Sequence, residues 1–254
     1  MRLTPLPALR DNYIWLLADA DGQALVVDPG EAAPVDAALA RDGLQLTTIL
    51  LTHHHADHVG GAASLRERHG ARVFGPDDER IQCIDERVGE GSEVIIAAPD
   101  MRFHVWEVPG HTRSHIAYVG GDLAFTGDTL FSLGCGRLFE GTPEQMLASL
   151  DRLATLPDAT RVCCGHEYTL ANARFAKTVE PDNPALAERT RAARMAIDDG
   201  RASLPARMGD ERAANPFLRV DAETIAPWMA AHRTGSNRVA RFAALRAAKD
   251  AFAA

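Results

Sequence analysis

A histidine-rich turn between a predicted strand and a predicted helix constrains this chain more than any other feature. Residues 52–58 read Thr-His-His-His-Ala-Asp-His. Residues 46–51 before it are an apolar, β-branched run without helical periodicity, which predicts a buried strand, and residues 62–68 predict a helix. The turn therefore lies at the carboxyl end of a strand, where open α/β folds place their chemistry.

Four side chains of this turn are potential metal ligands, in the pattern His-x-His-x-Asp-His. Residues two apart in an extended segment point the same way, so His53 and His55 can converge on one metal ion. Asp57 and His58 lie just beyond the bend and can face a second ion. His54 alternates away from its neighbours, and we expect it to pack through a hydrogen bond. A polar loop with chance histidines is the alternative, and so dense a group of ligands argues against it.

Three further candidate ligands, His111, Asp128 and His166, each follow a glycine at a predicted strand end. The glycine lets the backbone turn so that the next side chain leaves the sheet edge. With the first motif this makes five imidazoles and two carboxylates, too many for one four-coordinate zinc ion and a natural number for two ions that share a carboxylate. Histidine and carboxylate without thiolate suit zinc, iron or manganese and do not choose among them.

The remaining pattern predicts a layered α/β protein with two β-sheets between helices. Further helices are predicted at residues 34–41 and 142–153, the second opening with a capping-box pattern. Further strands are predicted at residues 12–18, 23–28, 71–75, 93–98, 101–108, 115–119, 123–126 and 161–164.

The character of the chain changes after residue 168. The remainder consists of Ala- and Arg-rich helical segments separated by proline-containing loops, without a convincing strand. We therefore predict a catalytic domain at residues 1–168 and an all-helical, substrate-binding domain at residues 169–254.

Charge and cysteine content bound the partners and the compartment. The net charge of -8 argues against a nucleic-acid partner, so an anionic small substrate needs a local cationic patch. The first residues lack the features of a signal peptide, and no apolar run approaches membrane-spanning length. Cys163 and Cys164 are adjacent on a predicted strand and should face opposite sides as reduced thiols. We expect a cytoplasmic monomer that binds neither nucleic acid nor membrane.

The order of these motifs resembles the metallo-β-lactamase superfamily, in which His-x-His-x-Asp-His is followed by Gly-His-Thr, Gly-Asp-Thr and Gly-His-Glu. Residues 127–131, 135–142 and 164–169 are further similar to the glyoxalase II family, the hydroxyacylglutathione hydrolases. The likeness extends over essentially the whole chain. It implies an αββα sandwich with a C-terminal helical subdomain.

The resemblance also implies a binuclear metal site. One ion would be held by His53, His55 and His111, the other by Asp57, His58 and His166, with Asp128 as the bridge. A hydroxide bridging the ions would attack the thioester of S-D-lactoylglutathione, or of another 2-hydroxyacylglutathione, and release glutathione and D-lactate. This is the second step of methylglyoxal detoxification. Asp57 is a candidate acceptor for the proton of the hydroxide.

Four side chains would contact glutathione by the same resemblance: Arg137, Tyr168, Arg246 and Lys249. Arg246 and Lys249 are three apart on a predicted helix and share a face. Without the resemblance, a solvated helix face would be the better interpretation. The chain departs from the animal enzymes at Arg137, where lysine is usual, and at Phe139, where tyrosine is usual. The second departure removes a hydroxyl, so we expect no polar substrate contact from Phe139.

Several alternatives stay open. His115 is either structural or an outer partner of the ligands, and Asp28 either an outer partner or a turn-stabilising residue. We interpret Cys135 as a buried loop thiol rather than a nucleophile. The nearest rival enzyme, a persulfide dioxygenase of the same superfamily that binds one iron, conflicts with the second ligand set. A scaffold without catalysis would need a metal closed by four protein ligands.

Overall fold

The structure is a computed structural model that describes residues 1–232 and 234–252. The chain forms two compact units. The first comprises Met1–Glu107 and Ser114–Gly127, and the second comprises Val108–Arg113 and Asp128–Ala254. The boundary predicted between residues 168 and 169 follows the onset of helical sequence, a different criterion, and it stays a prediction.

The first unit contains ten strands and three helices among its described residues. The strands are β1 (Arg2–Ala8), β2 (Asn12–Ala18), β3 (Gln23–Val27), β4 (Gln45–Leu50), β5 (Arg72–Pro76), β6 (Glu86–Val88), β7 (Glu93–Ala97), β8 (Asp100–Glu107), β9 (Ile116–Gly120) and β10 (Leu123–Gly127). The helices are α1 (Ala33–Asp42), α2 (Ala56–Val59) and α3 (Ala62–His69).

The first six strands form one mixed sheet in chain order, and this sheet positions the histidine motif. Strands β1 to β3 are antiparallel, whereas β3, β4, β5 and β6 pair in parallel. Because β4 has a parallel neighbour on each side, the carboxyl ends of β3, β4 and β5 share one edge. The motif leaves β4 at this edge, as the sequence predicted.

Strands β7 to β10 form a second, antiparallel sheet in which each strand pairs with the next. The hydroxyl of Tyr118 on β9 donates to the carbonyl of Leu51, immediately before the motif, at 3.0 Å. This bond ties the end of β4 to the second sheet within the same unit.

Helices α1 and α3 bury their apolar faces with the first sheet. Their buried core residues are Val35, Ala38, Leu39, Ala62 and Leu65. The first three are the residues that the helical periodicity predicts as inward-facing. The α/β class and the two sheets are therefore confirmed.

Two strands of this unit escape the sequence pattern. β1 contains Pro5 and Pro7, which have no N–H to donate, yet it pairs with β2 from the edge of the sheet, where proline is tolerated. β6 is three residues long and lies in a stretch that looks like an irregular polar connection.

The second unit is mostly helical. Its helices are α4 (Pro143–Leu153), α5 (Thr169–Val179), α6 (Pro184–Asp198), α7 (Met208–Ala214), α8 (Ala226–Ala231) and α9 (Arg238–Ala251), with 3₁₀ turns at Pro216–Leu218 and Glu223–Ile225. Its strands are β11 (Leu130–Phe131), β12 (Gly134–Cys135), β13 (Arg161–Cys164) and β14 (Ala206–Arg207).

Two predictions for this unit have clear outcomes. The capping box of α4 is confirmed, because Thr142 and Gln145 bond each other's backbone N–H. The prediction of no strand after residue 169 is wrong at β14, where Ala206 pairs with Val162. A strand of two residues beside a proline is too short to show a period.

The four cysteines all lie in the described part of the chain and are free thiols. Burial raises the pKa of the Cys135 thiol to about 11, which disfavours the reactive thiolate and supports its interpretation as a loop thiol. No described helix combines the length and the apolar character needed to span a membrane.

Candidate metal centre

The motif gathers three imidazoles in the first unit. The ring centroid of His53 lies 4.1 Å from that of His58 and 4.7 Å from that of His55. His53 and His58 are buried, whereas His55 and Asp57 are partly exposed at the start of α2. The Asp57 carboxylate lies 3.7 Å from Nε2 of His58. The turn thus brings all four predicted ligands of this unit together.

Asp28 fixes the orientation of two of these histidines. Its Oδ1 accepts from the backbone N–H of Thr52 at 2.8 Å, and its Oδ2 accepts from the Thr52 hydroxyl at 2.7 Å and from Nδ1 of His58 at 3.0 Å. Since a carboxylate only accepts, His58 carries its proton on Nδ1. Because the Thr52 hydroxyl donates its proton to Asp28, its oxygen accepts the hydrogen bond from Nδ1 of His53 at 3.0 Å. Both imidazoles therefore keep Nε2 as the lone-pair nitrogen.

Asp28 also has the conformation of a turn residue. Its φ of +51° lies in the left-handed region that aspartate tolerates better than most residues. The two interpretations left open from the sequence, turn residue and outer partner of the ligands, therefore hold together.

Asn12 is a site residue that the sequence analysis missed. Its buried amide donates to both the carboxylate and the backbone carbonyl of Asp57, each at 3.1 Å. Gly30 permits the close packing of this turn, because a Cβ there would lie 1.9 Å from the Asp57 carbonyl oxygen. A buried polar residue at the start of an apolar strand was the signal that could have singled out Asn12.

Two further histidines are not part of the ligand pattern: His54 lies within the motif, and His115 packs against it. The ring of His115 stacks on His53 with a centroid distance of 4.6 Å and is fully buried. Nδ1 of His54 lies 3.5 Å from the Asp78 carboxylate. Arg80 beside Asp78 holds the pKa of that carboxyl well below its usual range. His115 is packed inside the protein and His54 lies near a charged acceptor, but the hydrogen bond expected for His54 stays a prediction.

The second unit gathers the other three predicted ligands. Oδ2 of Asp128 lies 3.5 Å from Nε2 of His111 and 3.3 Å from Nε2 of His166. All three residues are buried. Nδ1 of His111 donates to the carbonyl of Arg137 at 2.9 Å, so this imidazole also keeps its lone pair on Nε2.

Aromatic rings surround His166. Tyr168 stacks on it in parallel at 4.7 Å between centroids, and Phe131 meets both rings edge-on, at 5.9 Å from His166 and 5.2 Å from Tyr168. Tyr168, two residues after His166 in the chain, thus lies against a candidate ligand. Phe139 is 63% exposed, and its ring meets His111 edge-on at 5.2 Å.

Three of the candidate glutathione-binding residues, Arg137, Arg246 and Lys249, form a cationic cluster in the second unit, but their side chains differ in exposure. Arg246 is buried and donates from Nη1 to the carbonyl of Cys135 at 2.7 Å and from Nη2 to Asp250 at 3.0 Å. Arg137 is largely exposed, with its Nε 3.5 Å from Asp250.

The pKa of Lys249 reflects its burial and the excess of positive charge around it. Burial lowers its pKa below the ordinary value of 10.5, and the charges of Arg246, Arg137 and Arg174 lower it further against the opposing effect of Asp250. Arg174, on α5, had no signal in the sequence that linked it to the cluster.

The donor sets fit divalent metal ions. Each unit presents buried imidazole nitrogens and carboxylate oxygens with no thiolate among them, and the three histidines with an identified Nδ1 acceptor all direct a lone pair from Nε2. Histidine ligands in metal sites commonly donate their other N–H to such acceptors. The His and Asp clusters are therefore suited to divalent cations, and the donor types do not select one metal.

Known proteins match over the whole chain. The metallo-β-lactamase superfamily matches residues 8–166, and the hydroxyacylglutathione hydrolase C-terminus matches residues 167–252. A hydroxyacylglutathione hydrolase of Xanthomonas campestris is 54% identical over 257 residues, which cover 100% of both chains.

Solved structures agree. The crystal structure of ETHE1 from Myxococcus xanthus is 30% identical, with a TM-score of 0.67 and 99% of each chain covered. TTHA1623, solved in a di-iron-bound form, is 30% identical with a TM-score of 0.55, covering 66% of this chain and 92% of its own. The predicted fold and resemblance are confirmed. The chain belongs to the hydroxyacylglutathione hydrolase (glyoxalase II) family, hydrolases of the metallo-β-lactamase superfamily.

Proposed function

We propose that this chain hydrolyses the thioester of S-D-lactoylglutathione, and of other 2-hydroxyacylglutathiones, with the help of two divalent cations. The products are glutathione and the free hydroxy acid, and the reaction is the second step of methylglyoxal detoxification. The observation that carries the proposal is the orientation of His53, His58 and His111. Each has Nδ1 bonded to an outer acceptor and presents Nε2 as a ligand.

The ligands divide into two sets with one shared carboxylate. We assign His53, His55 and His111 to one cation, Asp57, His58 and His166 to the other, and Asp128 to both. The position of Asp128 supports the assignment, because one of its oxygens approaches a histidine from each set. A bridging carboxylate has to be close to ligands of both ions.

When bound, the two cations would lower the pKa of a water molecule toward neutrality and polarise the thioester carbonyl. The protein orients the ligands and supplies a proton acceptor. Asp57 is that acceptor, and the two bonds from Asn12 hold its carboxylate in place. A thiolate leaves more readily than an amine, so the chain does not need a strong general acid at the leaving group.

The cationic cluster of the second unit would bind the carboxylates of glutathione. Lys249 and Arg137 present the charge, and Tyr168 lies two residues after the ligand His166 and stacks on it. Arg246 holds the loop at Cys135, and its buried Nε has no hydrogen-bond partner among the described residues, which leaves one donor for the substrate. A bound anion would oppose the burial and the neighbouring cations that together lower the pKa of Lys249.

Finer features of the enzyme are part of the same proposal. The ions are zinc, with iron and manganese as the tested alternatives. The catalytic part is residues 1–168, which hold all seven ligands, and residues 169–254 bind substrate. Free cysteines support a reducing compartment, the cytoplasm. The enzyme acts as a monomer, which sedimentation analysis would check.

The test is loss of the thioester absorbance of S-D-lactoylglutathione, with metal analysis of the same sample. We expect hydrolysis and two metal ions per chain, loss of activity on chelation and recovery with zinc. His58→Ala should abolish most activity, whereas His104→Ala is the matched control, since His104 is exposed on β8 and faces Glu93. A single bound iron without thioester hydrolysis would contradict the proposal and favour the dioxygenase.

A further inference from the structure

The hairpin of β11 and β12 belongs to the second unit. In the sequence it lies between Asp128, the predicted bridge, and Arg137, a predicted substrate contact. Its turn is buried, and Leu133 adopts a φ of +59°, an uncommon conformation for a branched side chain. Such a conformation persists only where the surroundings over-determine it. The hairpin therefore needs support from outside its own two short strands.

Three buried side chains supply that support, and we call Asn172, Glu211 and Asn215 the polar anchor. Asn172 donates to the carbonyl of Ser132 at 3.0 Å. Asn215 donates to the carbonyls of Phe131 at 3.1 Å and Gly134 at 3.0 Å. These bonds satisfy backbone oxygens on both sides of the turn.

Glu211 completes the polar anchor. Its carboxylate accepts from the Ser132 hydroxyl at 2.7 Å, from the backbone N–H of Leu133 at 2.8 Å and from Asn215 at 3.1 Å. The carboxylate is fully buried, and burial raises its pKa. Burial of a carboxylate is costly, and three hydrogen bonds, two from the loop and one from Asn215, are needed to satisfy it. We take this arrangement as a sign that the geometry of the loop matters.

The hairpin contacts residues of the candidate site through both of its strands. Phe131, at the end of β11, is the ring that meets both His166 and Tyr168 edge-on. On the other strand, the carbonyl of Cys135 receives the guanidinium of Arg246. One strand of the hairpin thus contacts a candidate metal ligand, and the other bonds a member of the cationic cluster.

We propose that the polar anchor positions the β11–β12 hairpin so that His166 and Tyr168 are held in register for metal and glutathione. Asn172, Glu211 and Asn215 are positioning residues that touch neither group. The inference rests on the proposed function for the roles of His166 and Tyr168. It adds that residues after 169 help to build the metal site as well as to bind substrate.

The experiment compares Glu211→Gln with the matched control Glu180→Gln. Glu180 is also a buried carboxylate of the second unit, and it accepts from Arg219 at 3.0 Å, from Thr224 and from Asn183, but it makes no described bond to the hairpin. Three quantities are measured for each variant: metal affinity by competition with a chromophoric chelator, KM and kcat for the thioester, and the melting temperature of the metal-free protein.

We expect Glu211→Gln to weaken binding of one of the two metals by up to about 10-fold, the lower end of what loss of a direct partner of a ligand costs, and to raise KM. Glu180→Gln should lower the melting temperature and leave metal affinity and KM unchanged. Gly134→Ala is a second route to the same hairpin, because its Cβ would lie 2.4 Å from the buried Asn172 amide. It should reproduce the metal and KM effects without altering any charge.

Unchanged metal affinity and KM in both hairpin variants would overturn the inference, as would equal effects from Glu180→Gln. Failure of the wild type to hydrolyse the thioester would count against the proposed function instead. The metal titration would still decide the inference in that case, because it does not depend on turnover.

Discussion

Replacement of Asp28 tests the orientation of the ligand histidines most directly. Its carboxylate accepts three buried hydrogen bonds, two from Thr52 and one from His58. Its φ of +51° suits asparagine as well as aspartate. Asp28→Asn therefore keeps the shape and the backbone, and it changes only the charge and the hydrogen bonding.

The amide has one acceptor oxygen where the carboxylate has two. If that oxygen stays near His58, the NH₂ group faces the N–H of Thr52. In the opposite orientation the NH₂ group faces Nδ1 of His58, which must then accept and carry its proton on Nε2, where a metal would bind. The first arrangement sets donor against donor at Thr52, and the second costs His58 the lone pair on Nε2. Both replace a charged acceptor with a neutral one, and we expect a cost of about 2–3 kcal/mol. Metal affinity should fall about 10- to 100-fold.

The matched control is Asp36→Asn. Asp36 also receives a histidine, at 2.8 Å from Nε2 of His69, but both side chains are more than a quarter exposed. Loss of such a pair costs about 1 kcal/mol or less. Urea denaturation of the metal-free proteins and chelator competition measure both effects. Equal metal affinity in the two variants would refute the assignment of Nε2 of His58 as a ligand.

Three further predictions follow from the site and its surroundings. Lys249→Ala should raise KM for the thioester about 10-fold with kcat nearly unchanged, because a remote carboxylate contact contributes equally in ground and transition states. The control is Lys177→Ala, which replaces an exposed lysine on α5. Equal KM values for the two variants would exclude Lys249 from glutathione binding. Asn12→Ala should lower kcat about 10-fold or more with a smaller change in KM, since it releases Asp57, the proposed proton acceptor. A rise in KM alone in steady-state kinetics would contradict that role. Burial opposes ionisation of Glu180, but the bonds and charge of Arg219 prevail and lower its pKa below 4.5. Its contribution to stability is therefore present above the unfolded-state pKa and lost as pH falls through the folded-state pKa, so denaturation curves of wild type and Glu180→Gln should converge in acid and differ at neutral pH.

Much of the fold could be predicted from local pattern. The strand before the motif, the helix after it and the capped helix α4 follow from periodicity and capping within a few residues. The ligands of each unit could be grouped for the same reason, because each follows a strand end. The sequence pattern missed β1, since proline masks a strand that survives at the sheet edge, and the two-residue β14.

The outer partners of the site could not be predicted. Asn12 bonds Asp57 across 45 residues, and Glu211 bonds Ser132 across 79. No spacing rule reaches that far, because such pairs are created by tertiary packing rather than by a helical or strand period. A buried polar residue in an apolar run marks the residue that needs a partner, but it does not say which partner it finds.

Arg246 and Lys249 show how far shared spacing can determine a shared role. Their separation of three residues predicts a common helix face, and the charge of Arg246 adds to the effect of burial in lowering the pKa of Lys249. Arg246 nevertheless donates inside the protein, to the Cys135 carbonyl and to Asp250. It can do so because a planar guanidinium bonds several acceptors and stays charged when buried. An ammonium has no such fork, and burial and three nearby cations lower the pKa of Lys249 instead. In the proposed anion site the two residues would therefore differ in role: Arg246 fixes the loop at Cys135, and Lys249 would supply the cation whose pKa a bound carboxylate raises.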